Sequence, residues 1–212
     1  MYKRQNYIHN IFQDATIDPA IYIFVNGGEL SHYNSDELSS YGEDVLINEL
    51  IPHIDRKYRT ITDRQGRGLE GFSQGGRAVT RFMFKYPNLF GTVSAGGGSY
   101  VIEKQIKDSE GYEDDPRDAK KDIYFVGAGN DAWSLAEQHA YVQNFTPKLM
   151  LWSGEDDMNY ESIQEYHYFL LELGIEHKFH ILKEVDHNSF KFYEKDGKGL
   201  VKFHLEGSKS VN

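Results

Sequence analysis

Residues 70–77 read EGFSQGGR and contain a Gly-x-Ser-x-Gly motif with its serine at position 73. The segment before the serine, GLEGF (68–72), favours a strand, and QGGRAVTRFMFKY (74–86) favours a helix that ends at Pro87. A serine at such a strand-to-helix turn is the setting of a catalytic nucleophile. The alternative is an ordinary serine in a glycine-rich turn, because a chain of this glycine content contains the motif by chance about one time in ten.

The small residues of the motif have a mechanical role if Ser73 is a nucleophile. Such a serine is held in a strained backbone conformation, and residues without a Cβ let the strand and the helix pass closely. We expect Gly71 and Gly75 to provide that space. Gln74 begins the predicted helix, so its backbone N–H is expected to donate to a developing oxyanion.

Short apolar runs alternate with helical patterns along the rest of the chain, which predicts an α/β fold with a parallel sheet. AIYIFV (20–25) is almost entirely apolar and is therefore predicted to be a buried strand. The charged segment 107–122 is interpreted as a solvated excursion, and 122–127 as a strand or as part of that excursion. Further strands are predicted at 91–97, 148–154 and 178–183, further helices at 43–58 and 159–174, and an aromatic-rich helix or coil at the end of the chain.

The composition limits the classes of partner and site. A length of 212 residues fits one domain, and no apolar run approaches the length of a membrane span. The net charge of −10 disfavours nucleic acid and anionic membranes as partners. The chain has no cysteine, which excludes disulfides, thiolate metal sites and a cysteine nucleophile. His177 and His180 are predicted to point to opposite faces of a strand, so they make a poor pair of metal ligands and we expect no metal site.

A nucleophilic serine needs a base, and the base needs an acid that orients it. In an α/β fold with this motif they follow in the order serine, acid, histidine, each after a strand. His187 follows the strand predicted at 178–183 and is the candidate base among the nine histidines. The candidate acids are Glu155, Asp156 and Asp157 after the strand at 148–154, with Asp131 as an alternative from the preceding apolar run.

The chain resembles the putative esterase family of α/β-hydrolases, which contains feruloyl esterases and esterase-D-like enzymes. The resemblance is carried by AIYIFVNGGELSHY, NELIPHIDRKYRTITDRQGRGLEGFSQGG, KYPNLFGTVSAGGG, LMLWSGEDD and VDHNSF. It implies a mostly parallel sheet with helices on both faces, no cofactor, and hydrolysis of carboxylic esters by a Ser–Asp–His triad. Carried onto this sequence, Ser73 is the nucleophile and His187 the base. The family's acid lies three residues after a strand-ending glycine, here Gly154, which selects Asp157.

The resemblance also implies that the N-terminal part of the family's fold is missing from this chain. Segment 20–25 looks like the family's fourth strand, so the first three strands would lie upstream, together with the usual second oxyanion donor. MYKRQ (1–5) can be encoded by a sequencing-adapter end, so we expect a fragment of environmental DNA and exclude these residues from fold reasoning. Segment 20–25 would then pair with 68–72 or with a second chain, giving a homo-oligomer through a sheet edge.

Two expectations about function follow from the missing N-terminal strands. The leading one is a serine esterase of weakened activity, acting on feruloyl, acetyl, other short-chain or aromatic polyester substrates. The alternative is an inactive domain of the same fold, made inert by the absent segment. The sequence does not indicate a cellular location.

Overall fold

A four-stranded parallel sheet organises the computed structural model. The model describes residues 2–13, 17–25, 32–36, 39–102, 129–142 and 145–208. Along these ranges the elements are α1 (Tyr2–Phe12), β1 (Asn34–Ser35), β2 (Ser40–Tyr41), α2 (Gly42–Asp44), α3 (Ile51–Lys57), β3 (Gly68–Phe72), α4 (Gln74–Lys85), β4 (Thr92–Gly96), α5 (Ala132–Val142), β5 (Lys148–Asp156), α6 (Tyr160–Glu172), β6 (His177–Asp186) and α7 (Ser189–Ser208).

The order in the sheet is β3-β4-β5-β6, and each neighbouring pair is parallel. The strands predicted at 68–72, 91–97, 148–154 and 178–183 are therefore confirmed. Because parallel strands end at the same edge, the residues that follow β3, β5 and β6 are brought together there. That edge carries the candidate catalytic residues.

Helices cover both faces of this sheet, as the resemblance implied. Successive residues of a strand point to opposite faces, and in β5 Leu149 and Leu151 join one core cluster while Met150 and Trp152 join the other. The first cluster packs against α4, α5 and α6, and the second against α1 and α7. The side chains of β5, which are buried alternately in the two clusters, hold the strand ends in fixed positions. The described helices include none with both the length and the apolar character needed to cross a bilayer.

The predicted helices are confirmed with small changes. The pattern at 43–58 is one continuous helical stretch, in which a π-helical turn, Val45–Leu50, joins α2 to α3. α1 begins at Tyr2 and so includes residues that we excluded from fold reasoning. The terminal α7 is kinked at Asp196, whose carboxylate accepts a hydrogen bond from the Gly199 N–H and contacts His180 Nε2.

The strand predicted at 20–25 is wrong. The segment has no ladder partner among the described residues, and β3 pairs there only with β4. Tyr22 and Phe24 pack against the second core cluster, whereas Ile21, Ile23 and Val25 are 51%, 41% and 49% exposed. Only alternate side chains reach the core, so a nearly continuous apolar run does not mean burial on both faces here. The predicted pairing of 20–25 with 68–72 is also wrong. The predicted excursion at 107–122 and segment 122–127 lie outside the described residues.

His32 gives the fold a dependence on pH. Burial and the positive charges of Arg81 and Arg77 lower the pKa of His32 to about 4. In the unfolded chain this imidazole binds a proton below about pH 6.5, while the folded protein resists protonation until about pH 4. Stability from this group is therefore present above pH 6.5 and is lost as the pH falls. We expect the free energy of unfolding to drop by on the order of 1 kcal/mol between pH 6.5 and 5.

Urea unfolding of the wild type and His32→Asn at both pH values measures this contribution. The variant should show a smaller difference between the two pH values than the wild type. His53→Asn, which replaces an exposed histidine, should leave the difference unchanged. An equal pH dependence in the wild type and His32→Asn would contradict the prediction. The difference should shrink rather than vanish, because burial also lowers the pKa of His139, His167 and His177.

Candidate active site

Ser73 occupies a sharp turn between β3 and α4. Its backbone has φ +60° and ψ −121°, a conformation that a residue with a side chain rarely adopts. Two backbone hydrogen bonds hold the turn: the Ser73 N–H donates to Gly96 O (2.7 Å), and the Arg77 N–H donates to Ser73 O (3.2 Å). The strained turn expected of a nucleophile is present at Ser73.

The space at this turn comes from Gly71 and Gly76. A Cβ built on Gly71 would lie 2.1 Å from Gly75 O, and one on Gly76 would lie 2.5 Å from Gly96 O. A Cβ on Gly75 would meet nothing within 4 Å. The expectation of a steric role for Gly75 is therefore wrong, whereas that for Gly71 is confirmed. The approach is one-sided: it is the Gly75 backbone, not its missing side chain, that faces Gly71.

We expect Gly71→Ala to destabilise the protein strongly and Gly75→Ala to leave it as stable as the wild type or slightly more so. Overpacking against fixed backbone typically costs about 1–3 kcal/mol or more. Alanine without a clash stabilises by about 0.4–1 kcal/mol through the unfolded chain. Urea unfolding of the two variants measures the difference in the free energy of unfolding. Equal losses in both would show that the close approach at Gly71 is not what limits the turn.

The structure brings Ser73, His187 and Asp157 within hydrogen-bonding distance. His187 Nδ1 lies 2.8 Å from Asp157 Oδ1, and His187 Nε2 lies 2.9 Å from Ser73 Oγ. Because a carboxylate only accepts, Nδ1 carries the ring proton and donates a hydrogen bond to Asp157. Nε2 is then an acceptor for the Ser73 hydroxyl. This tautomer is the one a general base needs.

Only Asp157 of the candidate acids reaches the imidazole. Its side chain is 1% exposed, while Glu155 and Asp156 lie exposed at the end of β5. Asp131 is buried but caps α5, where its carboxylate accepts from the Trp133 and Ser134 backbone N–H groups. A helix cap accounts for that carboxylate without any catalytic part.

Two contacts at this site were not expected from the sequence. The Asn159 backbone N–H donates to Asp157 Oδ1 (2.8 Å), and its side-chain Nδ2 donates to Gly97 O (2.9 Å), so Asn159 ties the acid to the end of β4. The Phe72 ring lies against the imidazole of His187, with ring centroids 4.7 Å apart. The position of Phe72 directly before the serine is the only sequence signal for the second contact.

The environment of the imidazole is asymmetric. His187 is 23% exposed on its side chain, so it meets solvent on one side while Asp157 lies buried behind it. The neighbouring Asp186 carries a pKa lowered by its hydrogen bond from Lys191, which keeps a negative charge at the surface beside the imidazole. Solvent therefore reaches His187 without uncovering Asp157.

Gln74 is the first residue of α4, so its backbone N–H lies at the positive end of a 12-residue helix. This is the geometry in which a backbone donor stabilises an oxyanion. The loop at 26–31 lies outside the described residues, and no second donor is assigned.

Four other histidines form hydrogen bonds away from this site. His167 and His177 hydrogen-bond to each other (2.7 Å between their nitrogens), and His139 contacts Thr146 Oγ1 at 2.9 Å. His204 contacts Thr92 Oγ1 at 2.8 Å. Over the described ranges, no three His, Asp or Glu side chains form a set that could hold a metal ion.

The comparisons with known proteins agree with this architecture. The family model described as "Putative esterase" matches residues 2–178. An endo-1,4-beta-xylanase/feruloyl esterase of Xylanibacter ruminicola is 30% identical over 128 residues, which cover 57% of this chain and 16% of that protein. The fluorophosphonate-binding serine hydrolase F of Staphylococcus aureus superposes with a TM-score of 0.64 at 16% identity, covering 78% of this chain and 64% of that chain.

An S-formylglutathione hydrolase of Agrobacterium tumefaciens gives a TM-score of 0.63 at 19% identity, covering 84% of this chain and 62% of that chain. The fold is therefore of the α/β-hydrolase type. The matched segments span less than two thirds of these proteins' own lengths.

Proposed function

Since the chain belongs to the Putative esterase family, we propose that it hydrolyses carboxylic esters through an acyl-enzyme on Ser73. The observation that carries the proposal is the relay from Asp157 Oδ1 through His187 to Ser73 Oγ, with distances of 2.8 and 2.9 Å. The strained turn that presents Ser73 supports the same role.

In the first half of the reaction, Ser73 Oγ attacks the ester carbonyl while its proton passes to His187 Nε2. The imidazolium that forms is stabilised by the carboxylate of Asp157, which stays ionised. The carbonyl oxygen becomes an oxyanion and accepts a hydrogen bond from the Gln74 N–H. Collapse of the tetrahedral intermediate breaks the bond to the alcohol, which leaves with the proton from His187.

In the second half, water replaces the alcohol. His187 Nε2 takes a proton from the water as its oxygen attacks the acyl carbon. A second tetrahedral intermediate collapses, the acid leaves, and the proton on His187 returns to Ser73 Oγ. The partly exposed side of His187 gives water access for this step.

The substrate class that we propose is an ester of a feruloyl or short-chain acyl group. The Xylanibacter ruminicola relative is an endo-1,4-beta-xylanase/feruloyl esterase, and this likeness supports the feruloyl group as the first candidate. Acetyl and aromatic polyester substrates are the other members of the class to be compared.

Two measurements test the proposal. A fluorophosphonate probe should label the wild-type protein at Ser73, as read by peptide mass spectrometry. A panel of p-nitrophenyl acetate, butyrate and octanoate together with methyl ferulate should show turnover and rank the acyl groups. A protein that takes no label and hydrolyses none of these esters would be an inert domain of this fold, and the proposal would fail.

A further inference from the structure

We propose that Phe72 is a positioning residue for His187, whose ring it holds in the plane that receives the Ser73 proton. This inference rests on the proposed esterase function. It concerns the residue directly before the nucleophile, which contacts the imidazole through its ring.

The Phe72 ring packs against two other rings. Its centroid is 4.7 Å from that of His187, with 33° between the planes, and 5.5 Å from that of Trp152, with 25° between the planes. Trp152 is 1% exposed, and its Nε1 donates to Ser94 Oγ (2.9 Å). Phe72 therefore contacts a fixed, buried ring as well as the imidazole.

The end of β4 is free of side chains where these rings lie. A Cβ on Gly96 would approach the Trp152 ring to 2.2 Å, and a Cβ on Gly97 would approach the Phe72 ring to 2.6 Å. Consecutive glycines thus admit the two rings. The stack is built into the sheet rather than resting on its surface.

Hydrogen bonds at Nδ1 and Nε2 hold the two nitrogens of the imidazole. The bond at Nε2 is given up when Ser73 Oγ attacks the ester, and rotation about the Cβ–Cγ bond of His187 then turns Nε2 away from the reacting atoms unless a neighbour opposes it. The flat ring of Phe72 against the imidazole opposes that rotation and keeps Nε2 directed at the reacting atoms. Aromatic contact also favours the imidazolium that forms during reaction. Small misplacements of a reacting group cost up to about 10² in rate.

A packing role alone makes a different prediction. Phe72 is half-buried and belongs to the second core cluster, so its loss would then reduce stability without changing turnover of the folded fraction. The positioning role and the packing role can be distinguished by substitutions that keep either the flat ring or the apolar character of Phe72, but not both. Leucine is apolar but has no flat face, whereas histidine is flat but polar.

The experiment compares Phe72→Leu and Phe72→His with the wild type, and uses Phe192→Leu as the matched control. Phe192 packs against Trp152 with centroids 4.2 Å apart and 42° between the planes, so the control also removes a ring from this cluster. Turnover is measured per active site, counted by fluorophosphonate titration. For Phe72→Leu we expect kcat to fall about 10- to 100-fold with KM within about twofold, while Phe192→Leu keeps wild-type kcat.

Phe72→His should recover most of the lost kcat although it is the less stable of the two variants. The inference is overturned if Phe72→Leu keeps kcat within twofold of the wild type, if Phe192→Leu loses as much, or if Phe72→His turns over no faster than Phe72→Leu. Should Phe72→Leu fail to fold, Phe72→Met, which is also apolar and has no flat face, takes its place with the same expected loss of kcat and the same threshold.

Failure of the proposed function would be visible separately. If the wild type hydrolyses no ester in the panel, the esterase proposal fails. The rate constant for phosphonylation of Ser73 still depends on His187 as base, so its ratio between wild type and Phe72→Leu decides the inference. A 10-fold or larger ratio supports it, and equal rates overturn it.

Discussion

Ser73→Ala is expected to reduce ester turnover by about 10⁶, the order of loss measured when the serine of a serine protease is removed. Without Oγ no acyl-enzyme forms, and His187 has no proton to accept. Initial rates on p-nitrophenyl butyrate measure the effect, with circular dichroism to show that the variant is folded. The fluorophosphonate label should disappear in the same variant.

Ser99→Ala is the matched control for this substitution. Ser99 follows the end of β4 and contacts Arg77 through its backbone carbonyl (3.5 Å), which alanine retains. We expect near wild-type turnover from it. If Ser73→Ala kept more than about 1% of the wild-type rate, far above the loss typical of a missing nucleophile, Ser73 would not be the nucleophile.

Asp157→Asn is expected to lower turnover by about 10⁴, as the corresponding change does in a serine protease. The amide of asparagine can donate to Nδ1 and so stabilises the tautomer that carries its proton on Nε2. That tautomer blocks acceptance of the Ser73 proton. KM should change little, because Asp157 is buried behind the imidazole and faces no substrate.

Asp156→Asn and Glu155→Gln are the controls, since both residues lie exposed on the same strand end. Changes at exposed positions usually have small effects, so both variants should retain nearly full turnover. A larger loss in Asp156→Asn than in Asp157→Asn would assign the acid to Asp156. Three mild variants would show that no carboxylate on this loop orients His187.

Much of the fold could be predicted because its signals are local. Apolar runs of strand length, helical periodicity and the stop at Pro87 predicted the four parallel strands and the helices α4 and α6. The prediction of a strand at 20–25 was wrong for a reason that lies in the tertiary structure. The composition of this segment is that of a strand, but a strand exists only with a ladder partner, and none is found among the described residues.

The candidate site divides in the same way. Ser73 and His187 follow from a turn motif and from the order of strands, and both lie where parallel strands must end. The acid did not follow from the residues alone, because three consecutive carboxyl groups share the same local pattern. The resemblance singled out Asp157, and the structure shows why its neighbours differ, with one side chain turned into the protein and two into solvent.

The sequence by itself determined the α/β order, the strained turn at Ser73 and the placing of a histidine after the last strand, because these depend on neighbours within a few residues. Tertiary structure alone decided that position 71, and not position 75, has no space for a Cβ. It also decided that Phe72 contacts the imidazole of His187. Ser73 and His187 are 114 positions apart and His187 and Asp157 are 30 apart. Their contacts depend on how helices on both faces set the strand ends, and no local pattern encodes a packing distance between residues so far apart.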